Sequence, residues 1–288
     1  MSVNEQPLVT VYIPTFNRLE LLQRAVESVC NQTYKNLEII VVDDCSTDGT
    51  QKYLAQLAKE DSRVRYFLKE KNSGACVSRN IAIENATGEF ITGLDDDDYF
   101  EIDRIQIFTS NKGLLKKYAF LYSNYSIINT RGIFKSKADI FKPKTIKYRD
   151  LLSNNYINNQ IFVKTSVLKE NYFNKNMPAR QDIYTWYKIL NKSKKEGFLI
   201  RDYSYVMDVS HPHERISMKK IEKIEYAYSI FCNDFKLSFY KRKVLKNQFY
   251  HYDRIKVDKI DIVFSIFNSP NLYNIIVCFY KFFGKNGT

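Results

Sequence analysis

"LEIIVVDDCSTDGT", residues 37–50, sets an apolar run interrupted only by Glu38 against two carboxylates, Asp43 and Asp44, and a short polar stretch. An apolar run of this length, rich in β-branched residues and bounded by turn residues, reads as a strand buried on both faces. Residues 37–42 are therefore expected as a strand. Ser46 or Thr47 then caps a helix carrying Tyr53, Leu54, Leu57 and Ala58. The same plan recurs on either side. "LVTVYI", residues 8–13, is a strand stopped by Pro14. Asn17 with Glu20 fits a capping box, and Leu22, Val26 and Val29 at helical spacing predict a helix over 18–31. "VRYFLK" is a third strand. "NSGACVSRNIAIENATG" is a loop, a helix and a terminating Gly88. "EFITGL" is a fourth strand, followed by four consecutive aspartates.

This alternation predicts an α/β fold: a mostly parallel sheet with helices on both faces. Ligands of such sheets bind beyond the C-terminal ends of the strands. Three of those ends carry Thr15 and Asn17, Asp43 and Asp44, and the aspartates 95–98. Four adjacent like charges repel one another, and a divalent cation turns that repulsion into attraction. A solvated acidic loop is the alternative, but it does not require polar groups from three strand ends to converge on one edge.

At 44% hydrophobic and 26% charged residues the chain of 288 is globular. Its net charge of +12 points to an anionic partner: nucleic acid, an acidic membrane surface or a phosphorylated substrate. The five cysteines include no C-x-x-C pair, which argues against a zinc cluster and suits a reducing cytoplasm. The start of the chain shows no basic segment followed by an apolar one, so no signal peptide is expected. No apolar stretch reaches the roughly 18 residues of a membrane span.

Beyond Phe100, "YAFLYSNYSIIN" and "NQIFVKTSVLKE" read as strands of a mixed region. "RQDIYTWYKILNKS" reads as a helix with Ile183, Trp186, Tyr187 and Leu190 on one face. From Ile216 the chain is basic and helical. Ile221, Ile224, Tyr228, Phe231 and Phe235 form an apolar stripe, and two apolar patches, "IDIVFSIF" and "NIIVCFYKFF", are separated by "NSPN".

"VTVYIPTFNRLELLQRAVESVCNQTYKNLEIIVVDDCSTDGT" together with "NSGACVSRNIAIENATGEFITGLDDDD" resembles the family 2 glycosyltransferases of the GT-A fold, among them bacterial O-antigen and capsule enzymes. The likeness is close over residues 8–104 and looser to about residue 217, through "RQDIYTWYKIL" and "HPHERIS". The resemblance implies a UDP-sugar donor, Mn²⁺ or Mg²⁺, and inversion at the anomeric carbon. It divides the chain into a nucleotide-sugar-binding half (1–110), an acceptor-binding half of the same catalytic domain (111–217) and a helical extension (218–288).

By the resemblance, Asp44 accepts the N3–H of uracil, with Asp43 on the ribose side or on the loop backbone. Pro14, Thr15 and Asn17 lie under the uridine. Arg79 holds a diphosphate oxygen or the first aspartate of the acidic run. Asp95, Asp96 and Asp97 match the D-x-D signature: Asp97 binds the metal, while Asp95 and Asp96 orient the ribose and the hydrated ion. Asp98, the fourth of the run, has a structural alternative apart from the resemblance: a cap for the segment that begins at Tyr99. Asp182 matches the family's base, which takes the acceptor proton. Gln181 stands where the family carries a Glu. His211 or His213 is a further metal ligand or touches the diphosphate.

Enzymes resembling this chain add a sugar to a lipid-diphosphate carrier at the inner leaflet. The expectation is accordingly a cytoplasmic protein, peripheral on the inner face of the membrane, with its basic aromatic tail on an anionic surface. In the alternative, the stripe packs on the catalytic domain or makes a homodimer contact. A protein or lipooligosaccharide acceptor is the other option for the substrate. A nucleic-acid-binding protein would explain the charge but not the acidic edge, and no such motif is present. A nucleotidyltransferase would need a Gly-rich, Lys-bearing phosphate loop, which is absent.

Overall fold

The structure, a computed structural model, describes residues 6–157, 160–211, 221–251 and 258–283. Its element order opens with β1 (Val9–Thr15), α1 (Leu19–Cys30), β2 (Leu37–Asp43), α2 (Thr50–Glu60), β3 (Val64–Leu68), α3 (Ala75–Asn85) and β4 (Phe90–Gly93). This is the alternation read from the sequence. β1 and β2 are buried at every position, as strands in the middle of a covered parallel sheet are, and the polar Thr10 and Glu38 within them meet in a 2.7 Å hydrogen bond. The sheet order is Val163–Lys164, β4, β1, β2, β3, parallel throughout except where Val163–Lys164 runs antiparallel to β4. Register then decides what shares an edge. Thr15 pairs with Asp43, and Leu94 N donates to Tyr12 O at 2.9 Å, so the chain leaves β4 alongside β1 and delivers the four aspartates to the same end.

Four local expectations are corrected. β1 does not stop at Pro14. Its pairing with β4 ends at Tyr12 while pairing with β2 continues, so the missing N–H of Pro14 faces a side that has no ladder left to break. The Asn17–Glu20 capping box does not form. Asn17 takes a left-handed φ of 49°, accepts from Thr47 N at 2.8 Å and donates its own N–H to Ser46 Oγ at 2.8 Å. Neither Ser46 nor Thr47 caps α2. Asp48 serves both helices: Oδ2 accepts from Leu19 N at 2.9 Å, and Oδ1 accepts from Thr50 N at 3.1 Å and Thr50 Oγ1 at 2.7 Å. Burial works to raise the Asp48 carboxyl, but these hydrogen bonds outweigh it and hold it below its usual range. Gly88 lies beyond the end of α3 rather than capping it. There a Cβ would come within 2.7 Å of Thr10 N, so close backbone approach demands the glycine.

A second sheet uses β5 (Tyr99–Phe100), the strand Tyr205–Asp208, β7 (Ser126–Asn129) and β8 (Gly132–Phe134), in that order. Between β5 and β7 lie α4 (Arg104–Ser110) and β6 (Phe120–Ser123). Among the described residues of "NQIFVKTSVLKE", Val163–Lys164 is strand and Thr165–Lys169 turns helical.

The chain groups into two compact units. The first comprises Met1–Lys135, Asn159–Phe173 and Leu199–His211; the second comprises Ser136–Asn158, Asn174–Phe198 and Pro212–Thr288. They interleave along the chain. Within the second unit the helix Gln181–Ser193 buries Ile183, Trp186, Tyr187 and Leu190, as expected. Rings of Tyr184 and Tyr187 meet those of Phe231 and Phe235, on and just beyond the helix Ile221–Asp234, at 4.6 to 5.5 Å. The stripe is therefore mostly internal. Ile224 and Phe231 are fully buried and Ile221 alone among its five residues is exposed, which corrects the membrane-facing reading of this segment. The two later patches form the helices Lys259–Asn268 and Leu272–Phe283. Asn274 fastens the turn between them, donating to Ser265 O and Ser269 O at 2.8 Å each.

Candidate active site

The acidic edge of the first unit is held by backbone turns before any side chain reaches out. At the end of β2, Asp43 is fully buried and both its oxygens accept from Ser46 N, at 3.1 and 3.2 Å. This closes the turn through Cys45, itself at a left-handed φ of 69°. Asp44 pairs with the ammonium of Lys69 and accepts from Ser73 N at 2.8 Å and Gly74 N at 2.7 Å. It fastens the start of α3 rather than the helix that follows it in sequence. Asn17 ties the β1–α1 loop to the β2–α2 loop.

The run after β4 splits into four distinct roles. Asp95 accepts from Arg79 at 2.9 Å and from Gln160 Nε2 at 3.3 Å, and Gln160 in turn accepts from Tyr12 OH at 2.8 Å. A Cβ on Gly93 would fall 2.5 Å from the Tyr12 ring and 2.7 Å from Gln160 Oε1, so this packing requires glycine. Asp96 accepts from Thr15 Oγ1 at 2.8 Å and from Arg18 Nη1 at 3.0 Å. The same Arg18 nitrogen lies 3.0 Å from Asp97 Oδ2. Burial pushes the Asp96 carboxyl up to about 6, with the Arg18 cation pulling against it and the Asp97 charge adding to it. Arg24, from α1, donates to the backbone carbonyl of Asp97 at 2.8 Å. Asp98 caps nothing at Tyr99, which begins a strand. It accepts instead from Tyr205 OH at 2.7 Å and Asp208 N at 3.0 Å, locking the acidic run to the second sheet.

That second-sheet strand leads to His211, whose Nε2 lies 3.5 Å from Asp97 Oδ2 in a nearly buried setting. Among the described residues no three His, Cys, Asp or Glu are arranged around one ion. Asp97 and His211 are the two side chains at this point of the edge that could contribute to a cation site. An open cavity of about 640 Å³ lined by Gln6, Asn36, Glu89 and Lys112 lies at the opposite, N-terminal ends of the strands.

The structure thus gathers Thr15, Asn17, Asp43, Asp44, Arg79, Asp95, Asp96, Asp97 and His211 in one unit, with Pro14 buried in β1 beneath the edge. Asp182 lies in the first turn of Gln181–Ser193, in the second unit. His213 is outside the described residues. Sequence reasoning passed over four polar residues here: Arg18, Arg24, Lys69 and Gln160. Arg18 had a signal, being a cation one residue past Asn17 at a strand end that faces an acidic run. Gln160 had none, because 65 residues separate it from Asp95.

The model of the family described as Glycosyl transferase family 2 matches residues 10–170. The chain is 35% identical over 216 residues to the putative colanic acid biosynthesis glycosyl transferase WcaA of Escherichia coli (strain K12), covering 75% of this chain and 77% of that one. It is 33% identical over 200 residues to the UDP-Glc:alpha-D-GlcNAc-diphosphoundecaprenol beta-1,3-glucosyltransferase WfgD of Escherichia coli, covering 68% and 76%. Among solved structures, S. aureus TarS 1-349 in complex with UDP-GlcNAc superposes with a TM-score of 0.68 at 19% identity, over 90% of this chain and 79% of that one. At that identity the likeness is one of fold.

Proposed function

The chain belongs to glycosyl transferase family 2 and carries the GT-A fold, and from that premise we propose that it moves a hexose or N-acetylhexosamine from a UDP-sugar to a saccharide hydroxyl. The acceptor class we infer is a lipid-diphosphate-linked intermediate of bacterial surface polysaccharide, met by a cytoplasmic protein at the inner face of the membrane. The polysaccharide in the name of WcaA and the diphosphoundecaprenol-linked acceptor in that of WfgD support that class. The observation that carries the donor reading is the convergence of Thr15, Asp44 and Asp95, Asp96 and Asp97 from three parallel strand ends, tied across 81 residues by the Thr15–Asp96 hydrogen bond.

In this reading Asp44 accepts the N3–H of uracil while Lys69 and the start of α3 keep its carboxylate oriented. Asp43 shapes the loop, and Thr15 and Asn17 line the uridine. Arg79 and Gln160 steady Asp95, and Asp96 faces the ribose. Asp97 with His211 would hold Mn²⁺ or Mg²⁺, which when bound neutralises charge gathering on the departing diphosphate. Asp182 takes the proton from the acceptor hydroxyl as its oxygen bonds to the anomeric carbon. The bond to the diphosphate oxygen breaks on the opposite face, so configuration inverts.

The test is UDP release across a panel of UDP-sugars, with Mn²⁺ or EDTA, and with or without a GlcNAc-diphosphate-lipid analogue. Release with one donor, dependent on metal and acceptor, is expected. Asp182→Asn is expected to lower transfer by about 10²–10⁴-fold while UDP binding persists. An α-linked product from an α-linked donor would remove inversion, and absence of UDP binding would remove the reading of the acidic edge.

A further inference from the structure

The helices Lys259–Asn268 and Leu272–Phe283 are amphipathic the wrong way round for a surface that meets water. Their inward positions include polar side chains: Asp261, Ser265 and Asn274 are fully buried, beside Ile262 and Cys278. Their outward positions are apolar. Ile260, Val263 and Phe267 are exposed on the first helix, with Phe267 at 74%. Leu272, Ile275 and Phe279 are exposed on the second, with Phe279 at 59%. Both triplets follow the same i, i+3, i+7 spacing, which places each on one narrow helical face. A soluble monomer rarely gathers so many exposed large apolar side chains in one element pair, and such patches mark interaction surfaces.

Charge selects the occupant. Residues 239–288 hold nine Lys and Arg against three Asp and Glu, and no acidic residue occurs from Ile262 to Thr288. Asp261, the acid within the hairpin, points inward, 3.6 Å from Lys243. From Ile262 to Phe283 the hairpin therefore sets no fixed negative charge against an anionic surface, and the exposed Asp258 at the start of its first helix stands next to Lys259. At about 1.5 Å per residue the helices measure roughly 15 and 18 Å, well short of the roughly 30 Å hydrocarbon core. Among the described residues no helix is long and apolar enough to cross a membrane. A short helix pair with apolar residues outward and excess basic charge suits the plane of a lipid interface.

We propose that the outward face of this hairpin is a docking surface for an anionic lipid bilayer. This deepens the lipid-linked acceptor reading and rests on it for its purpose, since docking would hold the enzyme on the surface that carries the acceptor. It replaces the buried stripe at residues 221–235 as the membrane element.

The test is flotation of the purified full chain with phosphatidylglycerol–phosphatidylethanolamine vesicles or with phosphatidylcholine vesicles. UDP release with a water-soluble, short-chain GlcNAc-diphosphate acceptor is read in parallel. Flotation with the anionic vesicles is expected to exceed that with phosphatidylcholine by about tenfold or more. The double variant Phe267→Glu, Phe279→Glu is expected to lose about tenfold or more of that binding and to keep its UDP release. Ile133→Glu, an apolar site on β8 as exposed as Phe279, is expected to change neither. The proposal is overturned if the wild type does not float, if the double variant floats unchanged, or if Ile133→Glu abolishes binding instead. A lipid-independent dimer lost in the double variant also overturns it, assigning the face to a second copy of the chain. Flotation without UDP release from any donor would strike the enzymatic reading and leave the docking face standing.

Discussion

The acidic sheet edge and the C-terminal hairpin both hold side chains where water alone would not favour them, and they differ in what answers them. At the edge, Asp43, Asp44, Asp96, Asp97 and Asp98 are buried. Each meets a donor from its own unit: Ser46 N, Lys69, Thr15 with Arg18, Arg18 again, and Tyr205. In the hairpin, Ile260, Phe267, Leu272 and Phe279 stay more than half exposed. The difference follows from unequal penalties. A desolvated carboxylate without a partner costs several kcal/mol, so the fold must supply the partner itself. An exposed apolar side chain costs far less, so it can wait for a partner from outside.

That contrast can be sharpened or broken by substitution. Asp97→Asn keeps the shape of the edge and removes one charge. It is expected to lower transfer by about 10²–10³-fold in steady-state assays, with the melting temperature little changed because Arg18 retains Asp96. Arg18→Gln does the reverse, stranding two buried carboxylates, and is expected to cost about 3 kcal/mol in urea unfolding. A loss under about 1 kcal/mol would mean that the carboxylates do not depend on an internal cation. Asp48→Ala removes the cap of both α1 and α2 and is expected to cost about 1–2 kcal/mol. The sign of its pH dependence follows from its lowered pKa. The Asp48 contribution is fully present above the ordinary Asp value of about 3.9 and is lost as pH falls below it. The variant should therefore show a shallower acid limb in thermal melts from pH 7 to 3. The smallest effect belongs to the hairpin: Phe267→Glu with Phe279→Glu is expected to shift stability by no more than about 0.5 kcal/mol without lipid. A loss several times larger would mean that these rings pack against the protein, and the contrast would collapse.

Much of the first unit was legible beforehand because its signals are local. Apolar runs made β1, β2 and β4 readable, and 3.6-residue spacing made α1 readable. The caps were misread for a physical reason. Asn17 and Ser46 had better partners across the loops than within their own helices, and Asp48, able to bridge two helix starts, outcompeted them. The 221–235 stripe shows the same limit. Its periodicity is real, but periodicity reports an apolar face and not its occupant, which here is the helix Gln181–Ser193.

The sequence by itself determined that four parallel strands alternate with helices and that carboxylates end two of them, because burial pattern and turn chemistry are written within a dozen residues. Only the tertiary structure decided how those carboxylates are shared. Arg18 bridges Asp96 and Asp97, Gln160 reaches Asp95, and Tyr205 takes Asp98 out of the acidic run and into a structural role. It likewise decided that Asp261, Ser265 and Asn274 of the last two helices turn inward while Ile260, Phe267, Leu272 and Phe279 turn outward. Such partners lie 65 to 107 residues apart or across helix faces, and strand register and packing, rather than any local propensity, bring them within hydrogen-bond reach.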